Sequence, residues 1–317
     1  MFLIENENIS VTLSEFGATL VKIEMKNRQG VKENILLTLD DDEAIKNDLG
    51  YYFGKTVGPV ANRIKNAEIG ELKFKANNGP NLNHSGENGW SIQQWQATEY
   101  ENTEVKGVRF ELIDQNSGFP PQKVLVDYQL KGNELTIRFT STALADTYFN
   151  PTNHAYWNLS GDAKTDIGKQ FLQVSSREVL VVDENTLPTG ESILVETTAY
   201  DFQQLRQLGD SLAKLETGLD NTFILSENQN PQLIMFDEIS GRKVIFSSNR
   251  QAVVLYSAAK VSNFVEVNGT KMSSNLGLAI EFQEQPDIIN HPAWGNISLS
   301  KGSTAEKFVK MQFEVES

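Results

Sequence analysis

The sequence predicts an all-β protein: one large antiparallel β-sandwich domain over residues 1–317, with few short helices. Three observations lead to this fold class. Apolar and polar residues alternate in most runs, turn-forming residues interrupt these runs about every ten positions, and helical spacing is rare. Short strands at such spacing indicate a sandwich or a barrel, because βαβ units would alternate strands with longer helical patterns.

The first elements follow this period-two pattern. The segments "SVTL" (10–13) and "LVKIEM" (20–25) predict strands, and "DDDEAIKND" (40–48) predicts a short helical turn. In "KVLVDYQLKGNELTIRFTST" (123–142), two alternating runs flank Gly132 and Asn133. Glycine adopts positive φ without a steric cost, so this pair predicts a hairpin turn.

Later elements continue the pattern. The segment "LQVSSREVLVVDENTLPTG" (172–190) predicts strand structure that ends in a Pro-Thr-Gly turn. The segment "GRKVIFSSNRQAVVLYSAA" (241–259) predicts a strand pair that turns at Ser248 and Asn249. One amphipathic helix is expected in "YDFQQLRQLGDSLAKL" (200–215), because apolar residues recur there at steps of three and four.

Charge and composition narrow the class of ligand. The chain has 28 Lys and Arg against 42 Asp and Glu, a formal net charge of -14. Such a field repels nucleic acid and anionic membrane surfaces, so neither is an expected partner. A neutral small molecule fits this balance best, and the protein itself is expected to be a monomer or a homodimer.

The same composition excludes several chemistries. The absence of cysteine rules out disulfides, thiol catalysis and zinc-thiolate sites. The three histidines are far apart and follow no metal-ligand spacing, so we expect neither a metal nor another cofactor. The N-terminus lacks a signal-peptide pattern, and no apolar run approaches the roughly 20 residues of a membrane helix. We therefore expect a cytoplasmic protein.

Three segments depart from the strand background and carry candidate site residues. They are "GPVANRIKNAEI" with Asn62 and Arg63, leading to His84 in "NNGPNLNHSGENGW"; "NHAYWNLSG" with His154; and "LAIEFQEQPDIINHP" with Glu281. Each residue also has an ordinary interpretation: a surface arginine, a loop histidine bonded to backbone, a buried structural histidine, or an outward-facing glutamate. A glutamate at the end of an apolar strand would instead be desolvated and have a raised pKa.

Two further features suggest a polar ligand. Asp220, in "TGLDNTFIL", lies at a loop–strand junction, where it either forms a turn or binds a ligand hydroxyl. The four tryptophans, which lie within or close to the three unusual segments, either pack in the core or stack against the C–H face of a sugar. They are Trp90, Trp95, Trp157 and Trp294.

Taken together, these segments resemble the aldose 1-epimerase (galactose mutarotase) family over almost the whole chain. The resemblance rests on the number and order of the motifs. These are "VANRIKNAEI", the Asn-rich stretch leading to His84, "NPTNHAYWNLSG", "DENTLPTGE" with "YDF", "GLDNTFIL" and "EFQEQPD". It implies a galactose mutarotase-like supersandwich with a hexose site on its concave face. It also implies interconversion of α and β anomers without a cofactor.

The resemblance also implies roles for individual residues. Glu281 corresponds to the general base and His154 to the general acid. The groups that correspond to substrate-holding residues are Arg63, His84 and Asp220, with Asn62 assisting. All six lie in the segments quoted above.

The chain departs from the family pattern at three places, which bear on sugar preference. Pro59 stands where the family commonly has arginine, and "NHSG" (83–86) stands where "LHGG" is common. Val254 aligns with a glutamine that often contacts the sugar. None of these changes removes the expected acid or base.

The leading hypothesis is therefore a mutarotase for a free hexose such as galactose or glucose. An epimerase acting on a sugar phosphate or an oligosaccharide is the alternative within enzymes of this kind. A non-catalytic carbohydrate-binding protein on the same fold is a different class. A glycosidase that uses Glu281 and Asp220 as its carboxylate pair is a further possibility.

Overall fold

The computed structural model describes residues 1–39, 41–48, 50–227, 229–261 and 265–316. The strands of its first half are β1 Phe2–Glu5, β2 Ile9–Ser14, β3 Thr19–Lys26, β4 Lys32–Asn34, β5 Thr56–Val57, β6 Arg63–Ile64, β7 Glu68–Ile69, β8 Leu72–Lys73, β9 Leu82–Asn83, β10 Gln96–Glu101, β11 Lys106–Asp114, β12 Gln122–Lys131, β13 Glu134–Ala143, β14 Thr147–Tyr148, β15 Thr152–Asn153 and β16 Tyr156–Trp157. The strands of its second half are β17 Phe171–Val174, β18 Ser176–Val182, β19 Pro188–Leu194, β20 Arg206–Gln207, β21 Asp220–Leu225, β22 Leu233–Phe236, β23 Arg242–Ser248, β24 Ala252–Tyr256, β25 Glu266–Val267, β26 Thr270–Lys271, β27 Leu278–Gln283, β28 Ser298–Leu299 and β29 Thr304–Val315.

Helical structure is short wherever it occurs. The α-helices of the described residues are α1 Asp42–Lys46 and α2 Leu208–Leu212. The 3₁₀ helices are Lys65–Ala67, Gly86–Asn88, Trp90–Ile92, Ile167–Lys169, Ile288–Asn290 and Pro292–Trp294. None of the helices in the described part of the chain is long and apolar enough to cross a membrane.

Three antiparallel sheets of four or more strands organise the described residues, beside several two-stranded ones. The large sheet has the strand order β10-β11-β12-β13-β29-β23-β22-β17-β20. The site sheet has the order β16-β27-β24-β21-β18-β19, and the N-terminal sheet has the order β1-β2-β3-β4. Their inner faces contribute to one apolar core, which includes Val126 of the large sheet, Phe282 of the site sheet and Leu13 of the N-terminal sheet. This arrangement confirms the predicted all-β sandwich, whereas the assignment of all residues to one domain stays a prediction.

The hairpin predicted around Gly132 is confirmed. β12 pairs with β13 antiparallel, Lys131 lies opposite Glu134, and Gly132 has a φ of 54°. The alternating apolar residues of both strands, including Val126 and Phe139, are buried in the core. The short helix predicted in 40–48 corresponds to α1, which Asp41 caps by accepting a hydrogen bond from the backbone N–H of Ala44. Residue 40 itself lies outside the described residues.

The amphipathic helix predicted over 200–215 is wrong for most of its length. Only α2, residues 208–212, is helical in that segment. Arg206 and Gln207 instead form β20, which pairs with β17 at the edge of the large sheet. The backbone groups of Arg206 and Gln207 therefore form hydrogen bonds with β17 and are not available to a helix. Leu205, which the predicted helix would have buried, is exposed.

Two details of the predicted strand structure are also wrong. β23 and β24 both form, but they do not pair: β23 belongs to the large sheet and β24 to the site sheet, so the chain crosses between layers near Ser248 and Asn249. The residues Pro188 to Gly190 begin β19, and the turn before it is closed by a hydrogen bond from the N–H of Asp183 to the carbonyl of Leu187. Periodicity predicts a strand, but it does not reveal which sheet the strand joins.

Candidate active site

Strand β27 presents Glu281 on the face of the site sheet that lies opposite the apolar core. Its neighbours Ile280 and Phe282 point into the core, because side chains alternate across a strand. Val254 lies directly opposite Glu281 on β24, and Thr222 lies opposite Val254 on β21. Glu281 is nevertheless only 2% exposed, so the interpretation as a solvent-facing glutamate is wrong and the desolvated carboxyl is confirmed.

His154 meets Glu281 within this buried region. It follows β15, and its backbone N–H donates to the carbonyl of Lys55 at 3.0 Å. Its Nε2 lies 3.3 Å from Oε1 of Glu281, close enough for a proton to pass between them. The imidazole also packs against Tyr52 and Tyr156. The sequence placed His154 among aromatic residues, and the structure adds its carboxyl partner.

His84 is held by backbone contacts with Asn62. Its N–H donates to the carbonyl of Asn62 at 3.1 Å, and its Nδ1 accepts from the N–H of Asn62 at 3.2 Å. The structure therefore contains the backbone bonding of the ordinary interpretation, yet the ring also lines the cleft beside His154. Because Nδ1 is an acceptor, a neutral ring carries its proton on Nε2, where it can donate to a ligand.

Arg63 is oriented by a set of polar contacts. Its Nε donates to Oδ1 of Asn78 at 3.1 Å, and its Nη1 donates to Oδ1 of Asn62 at 3.3 Å. Its Nη2 lies 3.6 Å from a carboxylate oxygen of Asp220, at the start of β21. The side chain of Arg63 is 14% exposed, so the dispersed surface arginine is not what the structure shows.

Burial changes the proton affinity of these groups. Burial raises the pKa of Glu281 to about 8, with the nearby Asp220 carboxylate adding to the effect. Burial lowers the pKa of His154 to about 4 and also lowers that of His84, where the neighbouring His154 and Arg63 contribute. At neutral pH the pair of Glu281 and His154 therefore holds one titratable proton, which rests on the carboxyl group.

Oε2 of Glu281 is buried without a protein hydrogen-bond partner among the described residues, so a ligand hydroxyl could satisfy it.

These groups line one small cleft of about 240 Å³. All six residues expected in the site border it, although they come from segments as far apart as residues 62 and 281. The described residues that line it are Gly50, Tyr51, Tyr52, Asn62, Arg63, Asn78, Asn83, His84, His154, Tyr156, Asp220, Tyr256 and Glu281. The motifs in the sequence thus indicated the polar groups of the cleft but not most of its other lining residues.

Tyrosines, and not tryptophans, form the aromatic part of that wall. Trp90, Trp95 and Trp157 are buried in the core, and Trp294 does not line this cleft, so the suggestion that tryptophans pack against the ligand here is wrong. Tyr51 and Tyr52 come from "GYYFG" (50–54), which the sequence analysis did not single out. Two adjacent tyrosines between glycines were the signal that could have identified this loop, since binding residues are often carried on such loops.

The three departures from the family pattern occupy different surroundings. The carbonyl of Pro59 accepts a hydrogen bond from the N–H of Asn150. Ser85 bonds the backbone of Val60 twice, accepting from its N–H at 3.0 Å and donating to its carbonyl at 2.8 Å. Val254 is buried beside Glu281 and offers an apolar surface where an amide would have offered hydrogen bonds.

The site also contains a set of potential metal ligands. One ligand atom each from His84, His154 and Glu281 lies within 4.8 Å of the others, and zinc accepts such ligands. A ligating histidine normally donates its second ring N–H to an acceptor. His84 does the opposite, because its Nδ1 accepts from Asn62. This contact disfavours a metal-ligand role for His84, and the expected absence of a metal stays a prediction.

The comparisons with known proteins agree with one another. The model of the family described as aldose 1-epimerase matches residues 1–312. The chain is 29% identical to galactose mutarotase of Bos taurus, covering 99% of this chain and 94% of that protein. It is 30% identical to aldose 1-epimerase of Streptococcus thermophilus, covering 97% and 92% respectively. The crystal structure of an aldose epimerase homologue from C. elegans is similar with a TM-score of 0.90 at 28% identity, covering 99% and 98%.

Proposed function

The chain belongs to the aldose 1-epimerase family of isomerases, and from this premise we propose that it interconverts the α and β anomers of a free hexose such as galactose or glucose. In this proposal Glu281 is the general base and His154 the general acid. Arg63, His84 and Asp220 hold the sugar hydroxyls, and Asn62 assists. The observation that carries the proposal is the buried contact of 3.3 Å between Glu281 and His154 inside a polar cleft.

Ring opening requires two proton transfers. Glu281, as the carboxylate, takes the proton from the C1 hydroxyl, and the electrons of that O–H bond form the C1 carbonyl. The bond between C1 and the ring oxygen breaks, and the ring oxygen takes a proton from the imidazolium of His154. Rotation about C1–C2 turns the other face of the aldehyde toward the hydroxyl. Reclosure then reverses both transfers and yields the opposite anomer.

The pKa shifts describe how burial supports this cycle. Ring opening converts an ion pair, carboxylate and imidazolium, into a neutral pair, carboxylic acid and imidazole. Burial favours the neutral pair, because it raises the pKa of Glu281 to about 8 and lowers that of His154 to about 4. The free enzyme thus rests in the protonation state that accompanies the open-chain sugar. A bound sugar hydroxyl that donates to Glu281 favours the carboxylate needed to begin the cycle.

The holding groups fit a neutral polyol. Arg63 is fixed by Asn62 and Asn78, so its fork of donors is oriented before a ligand arrives. Asp220 faces Arg63 and accepts hydrogen bonds from hydroxyls, which makes its contacts charge-assisted. Arg63 is the one cation among the described residues that line the cleft, and Asp220 already faces it. A sugar phosphate is therefore disfavoured, and comparing rates on glucose and glucose 6-phosphate tests this.

Polarimetry of freshly dissolved α-galactose and α-glucose tests the proposal. The purified protein should speed the approach to anomeric equilibrium, and Glu281→Gln should reduce kcat by about 10²- to 10⁴-fold, the usual contribution of a positioned acid or base. Glu134→Gln, on β13 of the large sheet, is the matched control and should keep the full rate. An unchanged rate in Glu281→Gln would refute the assigned base.

A further inference from the structure

A second cleft lies at the other end of the same face of the site sheet. We call it the distal cleft, and it is lined by Glu178, Ser192, Ile224, Arg250, Gln285 and Trp294 with their neighbours. Its volume is about 670 Å³, against about 240 Å³ for the candidate active site. That size is within the range typical of small-molecule sites, roughly 300–1,000 Å³.

The sheet register separates the two clefts. Ile224 is on the same face as Glu281, two strands across and two residues further along. With strand spacing of ~5 Å and a rise of ~3.4 Å per residue, their Cα atoms lie ~12 Å apart. Between them, Val254 and Thr222 are buried, so the sheet face is covered there. A ligand in the distal cleft therefore does not occupy the site of the proposed hexose.

An unpaired polar side chain lines the distal cleft. Gln285 is 6% exposed, and its Oε1 is buried without a hydrogen-bond partner among the described residues. A buried acceptor left unpaired in this way costs stability, and a ligand hydroxyl that donates to it removes that cost. The side chain of Arg250 is fully buried and paired with Glu284, so it is not a group for the ligand.

Trp294 supplies an aromatic surface at this cleft. It is the one tryptophan of the four that is not buried, and its ring stacks on His291 with centroids 4.1 Å apart and an angle of 16°. The stacking fixes the plane of the indole. A partly exposed aromatic ring beside hydrogen-bonding groups suits the C–H face and the hydroxyls of a sugar ring.

The charges select a neutral ligand. The guanidinium of Arg250 lies 2.5 Å from a carboxylate oxygen of Glu284, whose other oxygen lies 2.7 Å from Nζ of Lys307. The positive charge of Arg250 is thus neutralised by a buried partner. Glu178 and Glu227 add carboxylates to the lining. An anionic ligand would meet these carboxylates, whereas a neutral saccharide would find acceptors for its hydroxyls.

We propose that the distal cleft is a second, non-catalytic binding site for a neutral saccharide, with Trp294 as the stacking surface and Gln285 as the hydrogen-bonding group. Its position on the sheet makes it independent of the hexose at Glu281. The site thus requires neither the proposed proton transfer nor an anomeric hydroxyl on its ligand.

Calorimetric titration with two probes tests this site: methyl α-maltotrioside and methyl β-cellotrioside, whose anomeric centres are blocked. At least one probe should bind the wild-type chain and Glu281→Gln equally, and saturating galactose should not displace it. Trp294→Ala should weaken binding at least tenfold. Phe308→Ala, which removes a half-buried ring on the large sheet, is the control and should not change it.

A second variant separates binding from folding. Gln285→Leu removes the unpaired acceptor, so it should weaken binding while leaving the thermal midpoint unchanged or higher. The proposal is overturned if neither probe gives a signal that depends on Trp294, or if galactose displaces the probe completely. Mutarotation is measured separately on the same samples. Loss of probe binding in Trp294→Ala with full mutarotation supports the second site, and probe binding without any mutarotation would refute only the proposed catalytic function.

Discussion

Glu281→Gln should make the protein less active and more stable at the same time. Burial raises the folded-state pKa of Glu281 to about 8, from its ordinary value of 4.5. Below pH 4.5 the carboxyl group is protonated in both the folded and unfolded states and favours neither. As the pH rises toward 8, Glu281 ionises in the unfolded chain while it stays protonated in the folded chain, so the contribution of this group to stability falls over this interval. Glutamine does not titrate and carries no such loss.

The size of this effect follows from the pKa shift. Each pH unit above 4.5 costs about 1.4 kcal/mol at this group, so the Glu281 contribution falls by roughly 3 kcal/mol between pH 4.5 and pH 7, while His154 is present in both proteins and does not enter their difference. The glutamine amide keeps nearly the same volume and can donate to the neutral His154 as the protonated carboxyl does. The free energy of unfolding of Glu281→Gln should therefore exceed that of the wild type by a margin that grows from pH 4.5 to 8.

Urea denaturation followed by tryptophan fluorescence at pH 5 and pH 7.5 measures this margin. Polarimetry on the same samples should show the loss of activity. Glu134→Gln, on β13 of the large sheet, is the control for replacing a glutamate outside the cleft. The reasoning is refuted if Glu281→Gln is less stable than the wild type at pH 7.5, or if its stability difference is the same at both values.

Three other measurements examine the site. kcat/KM for galactose should be flat between about pH 4 and pH 8 and fall about tenfold per unit above pH 8, because the pair of Glu281 and His154 holds one proton within this range and loses it above; a constant value to pH 10 would contradict this. Arg63→Lys should raise KM about tenfold with a smaller effect on kcat, since lysine keeps the charge but loses the fork that Asn78 and Asn62 orient; an unchanged KM would remove Arg63 from substrate binding. Dialysis against EDTA should leave the rate unchanged, because Nδ1 of His84 accepts a hydrogen bond where a metal ligand would donate one; lost activity restored by Zn²⁺ would establish a metal.

Local patterns predicted much of the fold. The hairpin at Gly132 depends on two alternating runs and a turn, all within 20 residues, and it formed as expected. The segment 200–215 has helical spacing, but pairing of β20 with β17 decides its structure, and that partner lies more than 30 residues away. The separation of β23 and β24 into different sheets is equally a matter of long-range pairing. Such contacts depend on the whole core and have no local signature.

For the site, too, the sequence predicted local features but not contacts between distant residues. The polar residues of the cleft stood out because histidine, asparagine and arginine are unusual in strand-rich segments, and the family resemblance ordered them. The contact of His154 with Glu281 joins residues 127 positions apart, so no spacing rule predicts its 3.3 Å. The tyrosine wall was missed because tyrosines are common in β-structure. The prediction that tryptophans stack on the ligand in this cleft was wrong because a sequence does not show which aromatic rings face the core.

Strand alternation explains how a carboxyl group with a costly pKa shift persists in this position. Ile280 and Phe282, on either side of Glu281, are buried in the core, and burying such a side chain contributes about 1.5–3 kcal/mol. That gain is comparable to the roughly 3 kcal/mol lost at neutral pH through Glu281. One face of β27 therefore stabilises the strand by packing Ile280 and Phe282 in the core, and the other face carries the neutral carboxyl group of Glu281. If the cleft were wet, Glu281 would be ionised above about pH 4.5 and His154 would titrate near 6.5, and the neutral pair that accompanies the open-chain sugar would lose its advantage.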